Sequence, residues 1–224
     1  MKVPYYSILL LACLFVSLTA KAQKNLHEGM LVYNMSVETG SGEPKMADML
    51  DGATTTIYIK GDESRLELVS GLGREATIYN AATVNGVILK DYSGQKLMIT
   101  LTSRDWEANN NKYEGIVFEN TGEMSVISGF NCRKVIAKLK NGTSFTVFYT
   151  TDVKIANKSY DPQFKTLPGL PVQYEMQSGD MKFKFTLAKI SFDAIPASKF
   201  EIPKSGYRVL TYEETRSKPL FNDN

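Results

Sequence analysis

Met181-Lys182-Phe183-Lys184-Phe185-Thr186-Leu187-Ala188 sets apolar side chains at 181, 183, 185 and 187 against mostly polar ones between them. A period of two belongs to a β-strand, whose successive side chains point to opposite faces. One apolar face and one wet face is what an antiparallel sheet covered on one side requires. Outward from this stretch the same signature recurs. Residues 172–176 lead through Ser178-Gly179-Asp180 into it as a hairpin, after the punctuation Leu167-Pro168-Gly169-Leu170-Pro171. Residues 133–140 turn through Asn141-Gly142 into 143–150, where Phe145, Val147 and Tyr149 share a face; Asn-Gly tolerates the positive φ of a tight hairpin.

Toward the start of the chain, residues 30–38 place Leu31, Tyr33, Met35 and Val37 on one face. Residues 56–60 and 65–69 read as a hairpin through Gly61-Asp62-Glu63. Further strands are expected at 77–80, 87–90 and 96–102, separated by turns at Asn85-Gly86 and Ser93-Gly94. Helix signals are few: 44–50, and 103–110 with Ser103 as N-cap. So little helix cannot shield the apolar faces, and the sheet must curl around them. The expected fold is mostly β: an antiparallel, incomplete, half-open barrel of about nine or ten strands with one or two short helices. Such a hollow binds apolar ligands, and Phe145, Val147, Tyr149, Met181, Phe183, Phe185 and Leu187 are the residues expected to line it.

The first residues have another purpose. Lys2, an uncharged stretch from 3 to 20 and Ala20-Lys21-Ala22 before Gln23 match a secretory signal over residues 1–22. A retained transmembrane helix needs about 20 mainly apolar residues, and Pro4, Ser7, Ser17 and Thr19 interrupt this stretch. A third reading lipidates Cys13, since Leu10-Leu11-Ala12-Cys13 loosely resembles a lipobox. Cleavage leaves no transmembrane span and places the chain in the periplasm, at the outer membrane or outside the cell.

Removing Lys2 and Lys21 with the leader leaves 24 Lys+Arg against 24 Asp+Glu. A neutral chain has no electrostatic case for nucleic acid. No repeat or linker divides the rest, so a single domain over 23–210 with a polar, fraying tail at 211–224 is expected. Cys132 is the one cysteine beyond the leader, so no internal disulfide forms and a buried thiol is expected.

Chemistry is hard to find. His27 is the only histidine, in a segment expected to be mobile, which removes histidine-based triads and most zinc sites. Gly71-Leu72-Gly73 lacks the rest of a phosphate loop. Asp62-Glu63, Glu119 with Glu123, and Glu213-Glu214 are the carboxylate pairs a hydrolase would need, and solvated charge explains them as well. No catalytic residue, metal or cofactor is assigned.

Several short elements in order resemble a known group. Glu28-Gly29-x-Leu31-x-Tyr33, Gly129-Phe130-x-Cys132, Thr150-Thr151-Asp152, Leu167-Pro168-Gly169-Leu170-Pro171 and Phe200-x-Ile202-Pro203-x-x-Gly206-Tyr207 are similar to the GLPGLI-like and related uncharacterised envelope proteins of Bacteroidetes. Pro171 stands where a family member has isoleucine. The resemblance implies a LolA- or LolB-like lipoprotein-carrier fold, whose concave apolar face accepts acyl chains, and it transfers no catalytic residues. The first reading is therefore a non-enzymatic envelope protein binding a lipid or other apolar ligand. The alternative is a structural component that binds an envelope protein, for which the long loop 151–168 offers a surface.

Overall fold

The computed structural model describes residues 23–39 and 45–217; residues 1–22, where a secretory signal is expected, 40–44 and 218–224 lie outside them. Strands β1 (Lys24–Leu26) and β2 (Glu28–Thr39) precede the short helix α1 (Lys45–Leu50). A meander follows: β3 (Thr54–Lys60), β4 (Glu63–Ser70), β5 (Gly73–Asn80), β6 (Asn85–Tyr92) and β7 (Gln95–Leu101). Helix α2 (Ser103–Asn110) leads to a second run, β8 (Val117–Ile127), β9 (Phe130–Lys138) and β10 (Ser144–Thr150), then β11 (Val153–Ile155), β12 (Leu170–Ser178) and β13 (Met181–Ser191). Strand β14 (Arg208–Thr211) and α3 (Tyr212–Ser217) end the described chain.

Twelve strands form one open sheet, ordered β14-β7-β6-β5-β4-β3-β2-β13-β12-β10-β9-β8. The hinge of the topology is β13 on β2, with Phe185 opposite Met35 and Leu187 opposite Tyr33. The fold is thus the mostly-β, unclosed sheet expected, with more strands. Two pairings are parallel, β14 on β7 and β1 on β11; neither is joined by a hairpin, which would have required antiparallel strands.

The concave side is not left empty. Strands β1 and β11 form a separate two-stranded sheet whose Leu26, Val153 and Ile155 pack with Leu31, Tyr33, Ile57, Ile59, Cys132, Leu170, Val172 and Leu187. Side chains from β3 to β9 thus meet one plug, and each fully buried aliphatic contributes about 1.5–3 kcal/mol. The opposite face is strapped by residues 193–207: Glu28 accepts from the Ile195 N–H, and the Ile195 and Lys199 carbonyls accept from Lys60 and Arg65.

Local differences from the sequence reading have physical reasons. Asn85-Gly86 is not a turn; Ala81 to Val84 make it, with Val84 at φ 52°, and Gly86 sits in β6 because a Cβ there would lie 2.4 Å from the Ile78 carbonyl oxygen. The cap of α2 is Thr102, not Ser103: its hydroxyl accepts from the Asp105 N–H and the Asp105 carboxylate accepts from the Thr102 N–H, a reciprocal capping box. Loop 151–168 contains β11 and a 3-10 turn at Pro162–Phe164. Past Thr211 the chain continues as α3 instead of fraying at once. His27 lies in the bend between β1 and β2, where its carbonyl accepts from the Gly61 N–H.

Candidate functional site

One end of the concave side stays open. The Thr102 capping box starts α2 so that Trp106, 9% exposed, turns inward onto Tyr79 of β5; the rings stack with centroids 3.9 Å apart and planes 14° from parallel. Behind Trp106, Ile99, Leu101 and Tyr79 complete the packing, so this floor is held by sheet and helix together. After α2, Asn111–Tyr113 form a 3-10 turn, and Gly115 at φ 71° redirects the chain so that Ile116 is buried. Ser159, Pro162, Lys165 and Thr166 form the facing wall.

Between these segments lies a cleft of about 870 Å³. Its apolar lining is Tyr79, Ala81, Val84, Trp106, Tyr113 and Ile116, and its rim carries Arg104, Glu107, Glu114 and Lys165. Ligand sites of about 300–1,000 Å³ with this mixture of apolar lining and sparse polar groups accept drug-sized molecules. Glu114 is neutralised by Lys140 at 3.5 Å.

The facing wall is clamped. Lys158 Nζ donates to the Leu167 carbonyl and, at 3.1 Å, to that of Gly169; burial lowers its pKa, against the raising pull of Asp161. The Asp161 carboxyl is pushed up to about 7 by burial, opposed by the Gln163 N–H and the Lys158 charge. Beneath it is a cavity of about 10 Å³ lined by Tyr33, Lys158, Tyr160, Asp161, Phe164 and Tyr174 among others, about the room of one water. Aromatic contacts tie wall to sheet: Phe164 meets Tyr174 edge-on at 4.8 Å, and Tyr174 stacks on Phe185 at 4.7 Å. The Tyr33 hydroxyl donates to the Pro171 carbonyl at 2.7 Å.

None of the residues expected to line a hollow borders the open cleft, and Phe145, Val147, Tyr149, Phe185 and Leu187 pack into the clusters beside this wall. Val147 and Tyr149 are packed under Phe164 and Leu167, and Leu187 belongs to the central core. Phe145 and Phe185 are half-buried against the same clusters. Met181 and Phe183 are also half-buried, near the far end of β13. What the sequence could not show is the grouping of Tyr79, Trp106 and Tyr113 with Ser159, Pro162, Lys165 and Thr166 around one cleft, brought together from three separate segments. The signal available in the sequence was chemical: Trp106 and the Tyr and Phe residues are the side chains left as candidates for a binding surface.

The carboxylate pairs are placed elsewhere. Glu119 and Glu123 pair across strands with Lys138 and Lys134 at 2.7 and 2.9 Å. Asp62 accepts from Asn157, and Glu214 accepts from Thr211. Among the described residues no group of three or more His, Cys, Asp or Glu could hold a metal, and no helix is long and apolar enough to cross a membrane. Cys132 is buried and free.

No family model and no curated protein matches the chain. Solved structures that resemble it include PNGF-II, at 12% identity and TM-score 0.44 over 85% of this chain and 33% of that one. MucB resembles it at 12% identity and TM-score 0.40, over 86% of this chain and 64% of that one. A LolA superfamily protein from Nitrosomonas europaea does so at 8% identity and TM-score 0.37, over 79% and 91%. This chain therefore spans about a third of PNGF-II and under two thirds of MucB.

Proposed function

We propose that this is an exported, non-enzymatic protein of the cell envelope that holds a lipid or other apolar ligand in the cleft between α2 and residues 159–166. The observation that carries the reading is the cleft itself: about 870 Å³ in volume, floored by the stacked Tyr79–Trp106 pair and rimmed by charge. An amphiphile suits such a lining, its chain on the rings and its head at the rim. The strip Phe145, Val147, Tyr149, Met181, Phe183, Phe185 and Leu187 belongs to the same proposal as the deeper surface, reached where Phe164 and Leu167 give way. The cell-envelope placement rests on the leader at residues 1–22.

Trp106 is the chain's only tryptophan, so its fluorescence reports on the cleft alone. Titration of the purified protein with a long-chain fatty acid brominated near mid-chain should quench it saturably, and the unbrominated acid should reverse the quenching. Absence of quenching, together with a protein that carries no co-purifying lipid by native mass spectrometry, would defeat the proposal.

A further inference from the structure

The open sheet has two edges, and they are treated differently. At one, β14 is 4 residues long and runs straight into α3. At the other, β8 is 11 residues long and pairs on one side with β9 only. Long uncovered edges present rows of unpaired N–H and C=O groups, which natural proteins usually blunt. Here the edge also carries the two most exposed large apolar side chains among the described residues, Met124 at 68% and Val126 at 71%.

The hairpin geometry says which backbone groups are free. Ser128 and Gly129, at φ 50° and 79°, make a two-residue turn closed by Ile127 and Phe130. A closing pair of this kind is hydrogen-bonded, and the pairs alternate along the ladder. Val126 opposite Asn131 and Met124 opposite Arg133 are then non-bonded pairs. Their N–H and C=O groups point outward, at the same residues whose side chains are exposed. On the other side, a bulge fixed by Asn120 and Thr121 ends the regular stretch: the Asn120 side chain accepts from the Gly122 N–H at 3.0 Å, and the Thr121 hydroxyl from the Glu123 N–H at 3.2 Å.

We infer that β8 pairs antiparallel with β8 of a second copy of this chain, with Ser125 on the two-fold axis. In that register Met124 faces Val126 of the other copy, twice, so both outward-pointing backbones and both apolar side chains are satisfied at once. A shift of two residues sets Val126 against Gly122 in the bulge, or Met124 against Ser128 in the turn, and loses one of the pairs. Charge permits the same register. Glu123 is the only ionisable residue from 122 to 128; Lys134 of its own hairpin holds it at 2.9 and 3.0 Å, and it meets Ile127 rather than its own copy. An isologous contact of this kind closes on itself and stops at a dimer.

Sedimentation velocity of the purified protein up to about 1 mM tests the pairing, since a contact this small has a weak affinity. The dimer fraction should rise with concentration and disappear in the M124K/V126K variant, which alters only exposed positions. Ser125→Cys combined with Cys132→Ala should oxidise to a covalent dimer; the second change prevents a bond within the hairpin, where Ser125 faces Cys132. A chain that stays monomeric throughout overturns the inference, as does a dimer that M124K/V126K leaves intact. A monomer that adds only an extended segment of another protein to β8 overturns it too.

Discussion

Tyr79 and Trp106 lie face to face at 3.9 Å, and that contact joins the sheet to α2, which borders the cleft. Tyr79 comes from β5 and Trp106 from the middle of α2, so the pair holds the floor of the site by its two sides. Its geometry makes the site's stability and its ligand surface the same object.

Trp106→Ala should therefore cost about 3–5 kcal/mol in urea unfolding, the usual penalty for removing a buried ring. Trp106→Phe, which keeps a ring on Tyr79, should cost less than half as much by the same measurement. Equal losses for the two would show that the stack does not hold the floor.

Thr102→Ala removes the hydroxyl that accepts from the Asp105 N–H and should cost about 1 kcal/mol, as N-cap replacements do. Ser103→Ala should change little, because the cap is one residue earlier. Paired urea melts of the two variants decide between these positions.

The Asp161 carboxyl gives stability a definite slope with pH. Burial raises it to about 7, while in the unfolded chain it titrates at about 3.9. Its contribution is therefore complete below about pH 4 and is lost as pH rises through about 7. The loss should be about 2 kcal/mol, below full linkage because the residue keeps some contact with water. Asp161→Asn should flatten the slope and leave the variant more stable than the parent at about pH 8. Denaturation midpoints measured across that range would show it, and a parent with no slope would refute the assignment.

Gly169 lies where backbone meets backbone. An added Cβ would sit 2.0 Å from the Thr150 carbonyl oxygen and 2.9 Å from the Tyr149 ring, so Gly169→Ala must move β10 or the wall. It should cost more than about 3 kcal/mol, in the range of strongly disruptive core changes. Gly94→Ala, at φ 79° with open space around it, should cost only about 1 kcal/mol of left-handed strain.

Lys158→Met removes the donors that hold the Leu167 and Gly169 carbonyls. Hydrogen exchange should rise across residues 156–169 while the sheet stays protected, because only the wall depends on this clamp. A uniform rise over the whole chain would mean that the clamp supports the fold itself.

How much of this was legible in the sequence depended on which faces were wet. The strands around Phe145–Tyr149 and Met181–Leu187 announced themselves because one face is buried and the other is not, which prints a period of two. Strand β8 left no such trace: all its residues but Phe118 and Ile127 are exposed, so neither face selected apolar residues. The Thr102 cap was misplaced by one residue for a related reason, since Thr102 and Ser103 are both good caps and only the reciprocal bond to Asp105 chooses between them.

The chain's alternation, by itself, determined a mostly-β sheet with too little helix to cover it. Only the tertiary structure decided where the hollow lies. Tyr79, Trp106, Ile116 and Pro162 are far apart in sequence, and no local pattern records that β11 and Phe164 fill the middle of the concave side while leaving one end open. Periodicity reports which face of each strand is dry; it carries no information on which distant segment dries it.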